Sequence, residues 1–408
     1  MAEFSREEVL KRVRAGEKLA RADLRGLDLA KSILQKADFR RADFEGANLE
    51  GADLSEATLS NASFVEAFLK GANLSGALLE KADLEGANLE KARLIEANLA
   101  RASLDGASLT DAVLTGARLV SASLEQADFG GAQLESACFS HAEMAECYLG
   151  AAKLAKADLA NADLSRANIE EADLTQAVLD DADMSGAQAP GANFASSSLL
   201  RCNLQGANLE RANLSGADLR HADLTDANLQ GATLTGAKVF GAKLRGANLG
   251  SIVAEWVDAS VDGDGARRIP QAAVVAALES GLAPAEVPGR RYFGKGDVMR
   301  NASLEFGAGS VVEIESRFEK CAITLGDNSE LIVGDPGVLD SCTISGAGNI
   351  TVHGCFLEAK SPSIIGPRRV VVSASGALRA TVEQRQEATQ FAFEPGCRLR
   401  LKIVRAGQ

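Results

Sequence analysis

The sequence has little of what most enzymes need. Its 408 residues include only three histidines, and no nucleophile-elbow, phosphate-loop or metalloprotease motif occurs. The seven cysteines are an odd number without a CxxC pair. We therefore expect reduced thiols, with neither a disulfide framework nor a zinc site. The sequence predicts no enzyme, no catalytic residue, no cofactor and no metal.

Long apolar runs and positive net charge are also missing. No run of 18 apolar residues occurs, so no membrane span is predicted, and the N-terminus lacks the apolar core of a signal peptide. The formal net charge of −13 argues against binding to nucleic acid phosphates or to anionic membranes. We expect a cytoplasmic protein that binds neither nucleic acid nor membrane directly and that offers an acidic surface to a basic partner.

What the sequence has in abundance is a five-residue repeat. From Leu24 to Leu249 every fifth residue is apolar, 46 positions in one unbroken register, and most of them are leucine. Alanine precedes almost every one by two places, and the other positions are polar, charged or glycine. A helix would spread residues spaced by five around its surface, and a long strand would alternate them between its faces. Neither regular element therefore explains the pattern.

A solenoid does explain this spacing. Residues two apart on a short extended segment point the same way, so each alanine and leucine pair faces inward and the remaining residues turn the chain. Coils of this kind stack through backbone hydrogen bonds and need covered ends. Ser5 and Glu8 form a capping box for a helix ending at Gly16, which we expect to cover the first coil. Near Ala189 and Pro190 we expect a distorted corner, because proline removes a hydrogen-bond donor.

The unit A-(D/N)-L-x-x, as in ADLEG and ANLSG, resembles the pentapeptide repeat family over about residues 22–251. The resemblance implies an all-β fold, a right-handed quadrilateral β-helix in which four pentapeptides make one square coil. The repeat would then form about eleven and a half coils, a rod about 55 Å long at the spacing of stacked strands. This resemblance is specific for the fold and much less specific for the function.

The expected organisation has four parts. A capping helix occupies residues 1–18, the pentapeptide-repeat β-helix 19–252, a C-terminal cap with a short helix and linker 253–301, and a smaller β-rich domain 302–408. The last domain contains runs rich in valine and isoleucine between glycine-containing turns. Residues 346–381 weakly resemble the polymer-forming β-helices of the bactofilin type. A sandwich or an irregular β-roll is the alternative.

Charge is unevenly distributed around the predicted coil. The face that contains the pentapeptide of Leu24, and every fourth pentapeptide after it, carries 14 acidic and 4 basic residues. This spacing, about one carboxylate per 4 Å, is wider than the 1.7 Å per charge of B-DNA. The alternative is that aspartate is simply common before leucine and that charge keeps the rod soluble. The candidate partner-binding residues are Asp43, Glu45, Glu66, Asp83, Glu85, Asp105, Glu125, Glu143, Glu146, Asp163 and Asp183.

These observations favour a non-enzymatic scaffold that binds protein partners, whose identity the sequence does not reveal. Some pentapeptide repeat proteins present an acidic rod to DNA gyrase in place of duplex DNA. The resemblance therefore supports an alternative, a DNA mimic that binds or inhibits such a DNA-binding enzyme. We also expect self-association, through an end of the rod or through the C-terminal β-domain.

Overall fold

The computed structural model describes residues 3–260, 263, 265 and 268–279 and, between residues 290 and 405, the strands named below with residues 310, 321, 329 and 342. The chain forms two compact units, Met1–Leu282 and Ala283–Gln408. The first unit contains the repeat. Its named elements are α1 (Arg6–Arg14), β1 (Trp256–Asp258), β2 (Arg268–Pro270) and α2 (Gln271–Glu279).

Helix α1 begins at the capping box predicted from the sequence. The Ser5 side chain accepts a hydrogen bond from the Glu8 amide, and the Glu8 side chain accepts one from the Ser5 amide. Gly16 follows the helix with a φ of 70°, the left-handed conformation that glycine adopts most easily. Val9 is fully buried. Arg6 donates to backbone carbonyls of the first coil at 3.0 and 2.8 Å, so the helix is fastened to the coil it covers.

The repeat forms a β-helix solenoid, as predicted. From Asp23 to Lys238, each residue before a central apolar position makes a parallel bridge with the residue twenty positions later, as Asp23 does with Asp43. In the same pair of coils the Leu24 amide donates to the backbone carbonyl of Asp43 at 2.8 Å, and the Asp43 amide donates to the backbone carbonyl of Ala22 at 2.9 Å. Four such bridge positions follow one another in each coil. Backbone hydrogen bonds to the previous and the next coil therefore support every side of the rod.

Leucine and alanine of the repeat make the core. The central position is buried in every pentapeptide from Leu24 to Leu249. At several positions where phenylalanine replaces leucine the rings contact one another: Phe44 and Phe64 stack with centroids 4.8 Å apart, and Phe39 meets Phe44 edge-on at 5.1 Å. The narrow interior explains why a sequence with so few aromatic residues can form this core.

The turns have a geometry that the repeat alone did not indicate. The second residue after each central position, from residue 21 to residue 251, has a positive φ, and thirty of these residues are not glycine. Each turn is closed by the next inward amide, as when the Ala42 amide donates to the Phe39 carbonyl at 2.9 Å. A positive φ at the third residue of the turn is the mark of a type II turn. Non-glycine residues there carry a cost of about 1–2 kcal/mol each, which the continuous ladder must offset.

The expected distortion near Pro190 is wrong. Gln188 keeps its bridges to both neighbouring coils, and Gly191 has the usual turn φ of 68°. Pro190 still accepts a hydrogen bond from Glu171 at 3.1 Å. Proline fits because it occupies the second residue of a type II turn, where its fixed φ is favoured and where the ladder uses no amide donor.

Ser32 gives a first prediction about stability. It stands at an inward alanine position, is buried, and its hydroxyl has no hydrogen-bond partner in the described residues. Replacing it by alanine should raise the free energy of unfolding by about 1 kcal/mol, because an unsatisfied polar group leaves the core. Ser197 is the control, since its buried hydroxyl donates to the Phe194 carbonyl at 2.8 Å. Ser197→Ala should give no such gain, and denaturant unfolding of both variants measures the difference.

The rod ends later than residue 252. The last bridge joins Lys238 to Asp258, so β1 belongs to the ladder, and β2 pairs with it in the antiparallel sense. The guanidinium of Arg268 lies 4.3 Å from the centre of the Trp256 ring. Helix α2 follows β2 directly and buries Val274 and Leu278. The sequence predicted a cap from residue 253, whereas Val253 and Asp258 still bridge to the preceding coil.

The second unit consists of parallel strands. They are β3 (Arg290–Phe293), β4 (Val298–Arg300), β5 (Ser303–Phe306), β6 (Val311–Ile314), β7 (Arg317–Glu319), β8 (Ala322–Leu325), β9 (Glu330–Val333), β10 (Val338–Asp340), β11 (Thr343–Gly346), β12 (Asn349–Val352), β13 (Cys355–Leu357), β14 (Ile364–Ile365), β15 (Arg369–Val372), β16 (Ala377–Gln384), β17 (Gln390–Phe393) and β18 (Arg398–Arg405). Two sheets form, in the orders β3-β6-β9-β12-β15-β17 and β4-β7-β10-β13-β16-β14-β11-β8-β5, with β18 beside β16. Most pairs join strands three places apart in the chain, and the pairs β14–β16, β15–β17 and β16–β18 join strands two places apart.

In this unit the structure differs from two interpretations of the sequence. The described strands pair only in parallel, which is the pattern of stacked coils and not of a sandwich built from hairpins. Strands β3 and β4 also lie inside the predicted linker, before residue 302. The sequence around them is rich in proline and glycine, which is typical of a linker, and their pairing partners lie about twenty residues further along the chain. The resemblance to bactofilin-type β-helices stays a prediction.

Candidate functional site: an acidic strip on the solenoid

The structure brings all eleven predicted carboxylates onto one side of the solenoid, and none of their residues is buried. We call this set the acidic strip. The bridges stack it in three columns that run along the axis. The first column contains Asp43, Asp83, Glu143, Asp163 and Asp183, the second Glu45, Glu85, Asp105 and Glu125, and the third Glu66 and Glu146. Within a column, successive coils lie about 4.8 Å apart.

The aspartates of the first column stabilise their own turns. Asp43 Oδ1 accepts a hydrogen bond from the amide two residues later at 3.0 Å, and Asp163 and Asp183 do the same at 2.9 and 2.8 Å. This side-chain-to-backbone contact gives aspartate a structural reason to stand before leucine. The frequency of aspartate on this face therefore does not by itself indicate a binding function.

The glutamates of the strip are different. Glu66, Glu85, Glu125 and Glu143 are exposed, and within the described residues their side chains make no hydrogen bond or ion pair. The other two glutamates of the strip have neighbours: Glu146 binds Gln126 at 3.1 Å and Arg166 at 3.0 Å, and Glu45 interacts electrostatically with Arg25. Four of the glutamates thus add negative charge without a visible structural task.

Basic residues neutralise the ends of the face more than its middle. Arg25 pairs with Asp23 at 2.8 Å and lies 3.4 Å from Asp43, and Lys243 pairs with Asp223 at 3.1 Å. Between these ends Arg166 is the one cation that forms an ion pair with the strip, within the described part of the chain. The middle coils therefore carry the largest uncompensated charge.

The paired end allows a pH prediction. Hydrogen bonds from Arg25 lower the pKa of the Asp23 carboxyl to about 2. A carboxyl whose pKa is lower in the folded state stabilises the fold above its unfolded pKa, and this contribution is lost as the pH falls toward 2. Arg25→Gln should raise the Asp23 pKa toward its ordinary value in an NMR titration. An unchanged pKa in that variant would show that the pair is not formed in solution.

The described residues were also compared with what a metal site, a reactive thiol or a membrane-spanning helix requires. They contain no cluster of three or more histidine, cysteine or acidic side chains arranged for a metal ion. Burial raises the pKa of the Cys147 thiol to about 12, and it also raises the pKa of the Cys202 thiol. Both thiols are therefore poor nucleophiles. No helix in the described part is both long and apolar enough to cross a bilayer.

The profile of the pentapeptide repeat family matches residues 18–250 in overlapping segments. This is more than half of the chain, and the unbroken register, the inward alanine and leucine pairs and the stacked coils all agree with it. The chain belongs to the pentapeptide repeat family. No curated protein matches its sequence.

Several solved structures of pentapeptide repeat proteins are similar to the chain. HetL, involved in heterocyst differentiation regulation in the cyanobacterium Nostoc sp. strain PCC 7120, is 30% identical, with 65% of this chain and 99% of HetL covered and a TM-score of 0.23. A pentapeptide repeat protein from the Arabidopsis thaliana thylakoid lumen is 30% identical; the match covers 26% of this chain and 68% of that protein, with a TM-score of 0.18. QnrB1, a plasmid-mediated fluoroquinolone resistance protein, is 19% identical; the match covers 51% of this chain and 89% of QnrB1, with a TM-score of 0.26.

Proposed function

We propose that this protein is a non-enzymatic interaction scaffold that presents the acidic strip to a basic surface of a protein partner. Family membership supports an interaction role, because pentapeptide repeat proteins are generally structural or interaction proteins. The observation that carries the proposal is the group of four exposed glutamates without structural partners. Aspartate in this repeat has a role in its turn, whereas these glutamates are explained only by solubility or by recognition.

Rigidity makes such a strip a selective surface. The coils fix the backbone that carries the carboxylate columns at regular intervals, so little backbone conformational entropy is lost when a partner binds. Charges arranged in this way attract a basic partner over a distance and orient it. The solenoid's sides carry this surface, because the unbroken register leaves no room for inserted loops between its coils.

The test is capture of binding partners by the full-length chain at two ionic strengths. At about 0.1 M salt the Debye length is near 10 Å, and at 1 M it is near 3 Å. Partners of the strip should bind at the lower salt, should be basic, and should dissociate at the higher salt. Partners that bind equally at both would contradict recognition by the strip.

A DNA mimic directed at a gyrase-like enzyme is a second candidate. Its support is the acidic strip, together with membership of a family in which some proteins present an acidic rod to DNA gyrase. The carboxylates are more widely spaced than the phosphates of B-DNA, which weighs against close mimicry. Purified protein should inhibit DNA supercoiling in a gyrase assay if this candidate is right, and should leave the reaction untouched if it is wrong.

We also propose a cytoplasmic location. Its support is the free thiols of Cys138, Cys147 and Cys202 in the solenoid, since proteins in reducing compartments keep their cysteines reduced. Labelling of thiols in extracts prepared without reductant should find no disulfide in the native protein.

A further inference from the structure

A small cavity opens on a different side of the rod, near its N-terminal end. Its volume is about 280 Å³, and it is lined by Ala20, Arg21, Arg40, Arg41, Ser60 and Asn61. These residues are the turn positions of three successive coils at one corner. The Arg21 amide donates to the Arg40 carbonyl at 2.9 Å, and the Arg41 amide donates to the Ser60 carbonyl at 3.1 Å. These backbone hydrogen bonds fix the spacing of the three turns.

Two of the three arginines at this cavity have no carboxylate partner. Arg40 is held by Asp38, which accepts from its Nε at 2.9 Å and from its Nη2 at 2.7 Å. Arg21 and Arg41 are exposed and form no ion pair within the described residues. They occupy equivalent positions in adjacent coils, with φ of 65° and 60°, so their backbones lie about 4.8 Å apart.

The composition of the cavity matches one kind of ligand. A guanidinium group donates several hydrogen bonds in a fixed planar arrangement that matches the oxygens of an oxyanion. Arginine is therefore used more often than lysine where a phosphate is bound through two parallel hydrogen bonds. The Ser60 hydroxyl and the Asn61 amide are further donors on the same wall. Ala20 stands where the next two coils carry arginine and serine, and its small side chain leaves the space open.

We propose that this cavity is a binding site for a phosphate group, either free or carried as a phosphomonoester. Arg21 and Arg41 neutralise the anion from two coils, Ser60 and Asn61 donate to its oxygens, and Arg40, fixed by Asp38, completes the wall. The site is independent of the acidic strip, so the two proposals succeed or fail separately.

The test is calorimetric titration of the full-length protein. The probes are inorganic phosphate, adenosine monophosphate and a phosphoserine peptide, with adenosine and the unphosphorylated peptide as their counterparts. We expect saturable binding of at least inorganic phosphate at millimolar concentration or below, and no binding of the counterparts. Tighter binding of one phosphomonoester would identify the natural source of the phosphate group.

A matched pair of double variants separates a built site from general charge attraction. Arg21→Gln/Arg41→Gln should weaken phosphate binding about tenfold or more, because two charge-assisted donors are lost. Arg101→Gln/Arg118→Gln is the control, since both arginines are exposed, form no ion pair within the described residues, and Arg101 has the same turn conformation as Arg41. Both variants remove two positive charges.

Two outcomes would overturn the proposal. One is no phosphate binding by the unaltered protein up to about 10 mM. The other is equal weakening of phosphate binding by the two double variants. Circular dichroism of both variants confirms that a loss of binding is not a loss of fold.

Discussion

Replacing Lys156 by proline should unfold several coils of the solenoid, whereas replacing its neighbour Ala155 by proline should leave the fold intact. Lys156 has a φ of 61°, and its amide donates to Thr175 of the next coil at 2.9 Å. Proline fixes φ near −65° and has no amide hydrogen, so the substitution breaks both features. We expect a loss of roughly 4 kcal/mol or more in the free energy of unfolding.

Ala155 occupies the preceding position of the same turn. Its amide makes no hydrogen bond within the described residues. The position corresponds to that of Pro190, which the fold accepts without loss of a bridge. Proline is favoured at the second residue of a type II turn, so Ala155→Pro should change the free energy of unfolding by less than about 1 kcal/mol.

Chemical denaturation and amide hydrogen exchange measure this contrast. In a solenoid each coil contacts only its neighbours, so Lys156→Pro should increase exchange most strongly in the coils next to residue 156. Equal stability of the two proline variants would show that the left-handed turn residues are not essential to the fold. Equal damage by both would show that the second turn position does not tolerate proline away from residue 190.

The sequence was sufficient for the solenoid because its information is repeated and local. An alanine and leucine pair that recurs every five residues determines which side of each short segment is buried, and it does so independently of the rest of the chain. Ser5 and Glu8 likewise determine the start of α1 through contacts three residues apart. Such features need no knowledge of distant residues.

The features that the sequence did not reveal depend on backbone geometry or on distant partners. Arg21, Lys156 and twenty-eight other non-glycine residues adopt a positive φ because the ladder requires it, against their local preference. Strand β3 becomes a strand because β6 is available to pair with it. The cavity at Arg21 and Arg41 also appears only when residues twenty positions apart are stacked.

The candidate site was predictable as a surface but not in its detail. The period of twenty residues assigned the acidic strip to one face, because residues twenty positions apart are stacked on one another. The composition of the face could not separate aspartates that accept hydrogen bonds within their turns from glutamates that do not. This distinction determines which residues should be changed to test the strip.

Changing Glu66, Glu85, Glu125 and Glu143 together to lysine should therefore abolish partner binding with little effect on stability. All four are exposed, and their side chains make no hydrogen bond or ion pair within the described residues. Changing Asp83 or Asp105 would be less clean, because Asp83 accepts a hydrogen bond from a backbone amide at 3.2 Å and Asp105 accepts one at 2.9 Å. Four charge reversals on one face should lower the association rate about a hundredfold at low salt.

The control changes the same number of glutamates on other faces. Glu50, Glu96, Glu170 and Glu171 are also exposed and have no side-chain partner among the described residues. Changing these four to lysine alters the net charge equally, so a purely non-specific attraction would weaken to the same extent in both variants. Recognition by the strip requires that only the first variant loses the partners captured at low salt and, if the gyrase candidate is right, the inhibition of supercoiling. If the first variant retains every partner of the unaltered protein, the carboxylates of the strip serve solubility and turn stability, and the interaction surface lies elsewhere on the chain.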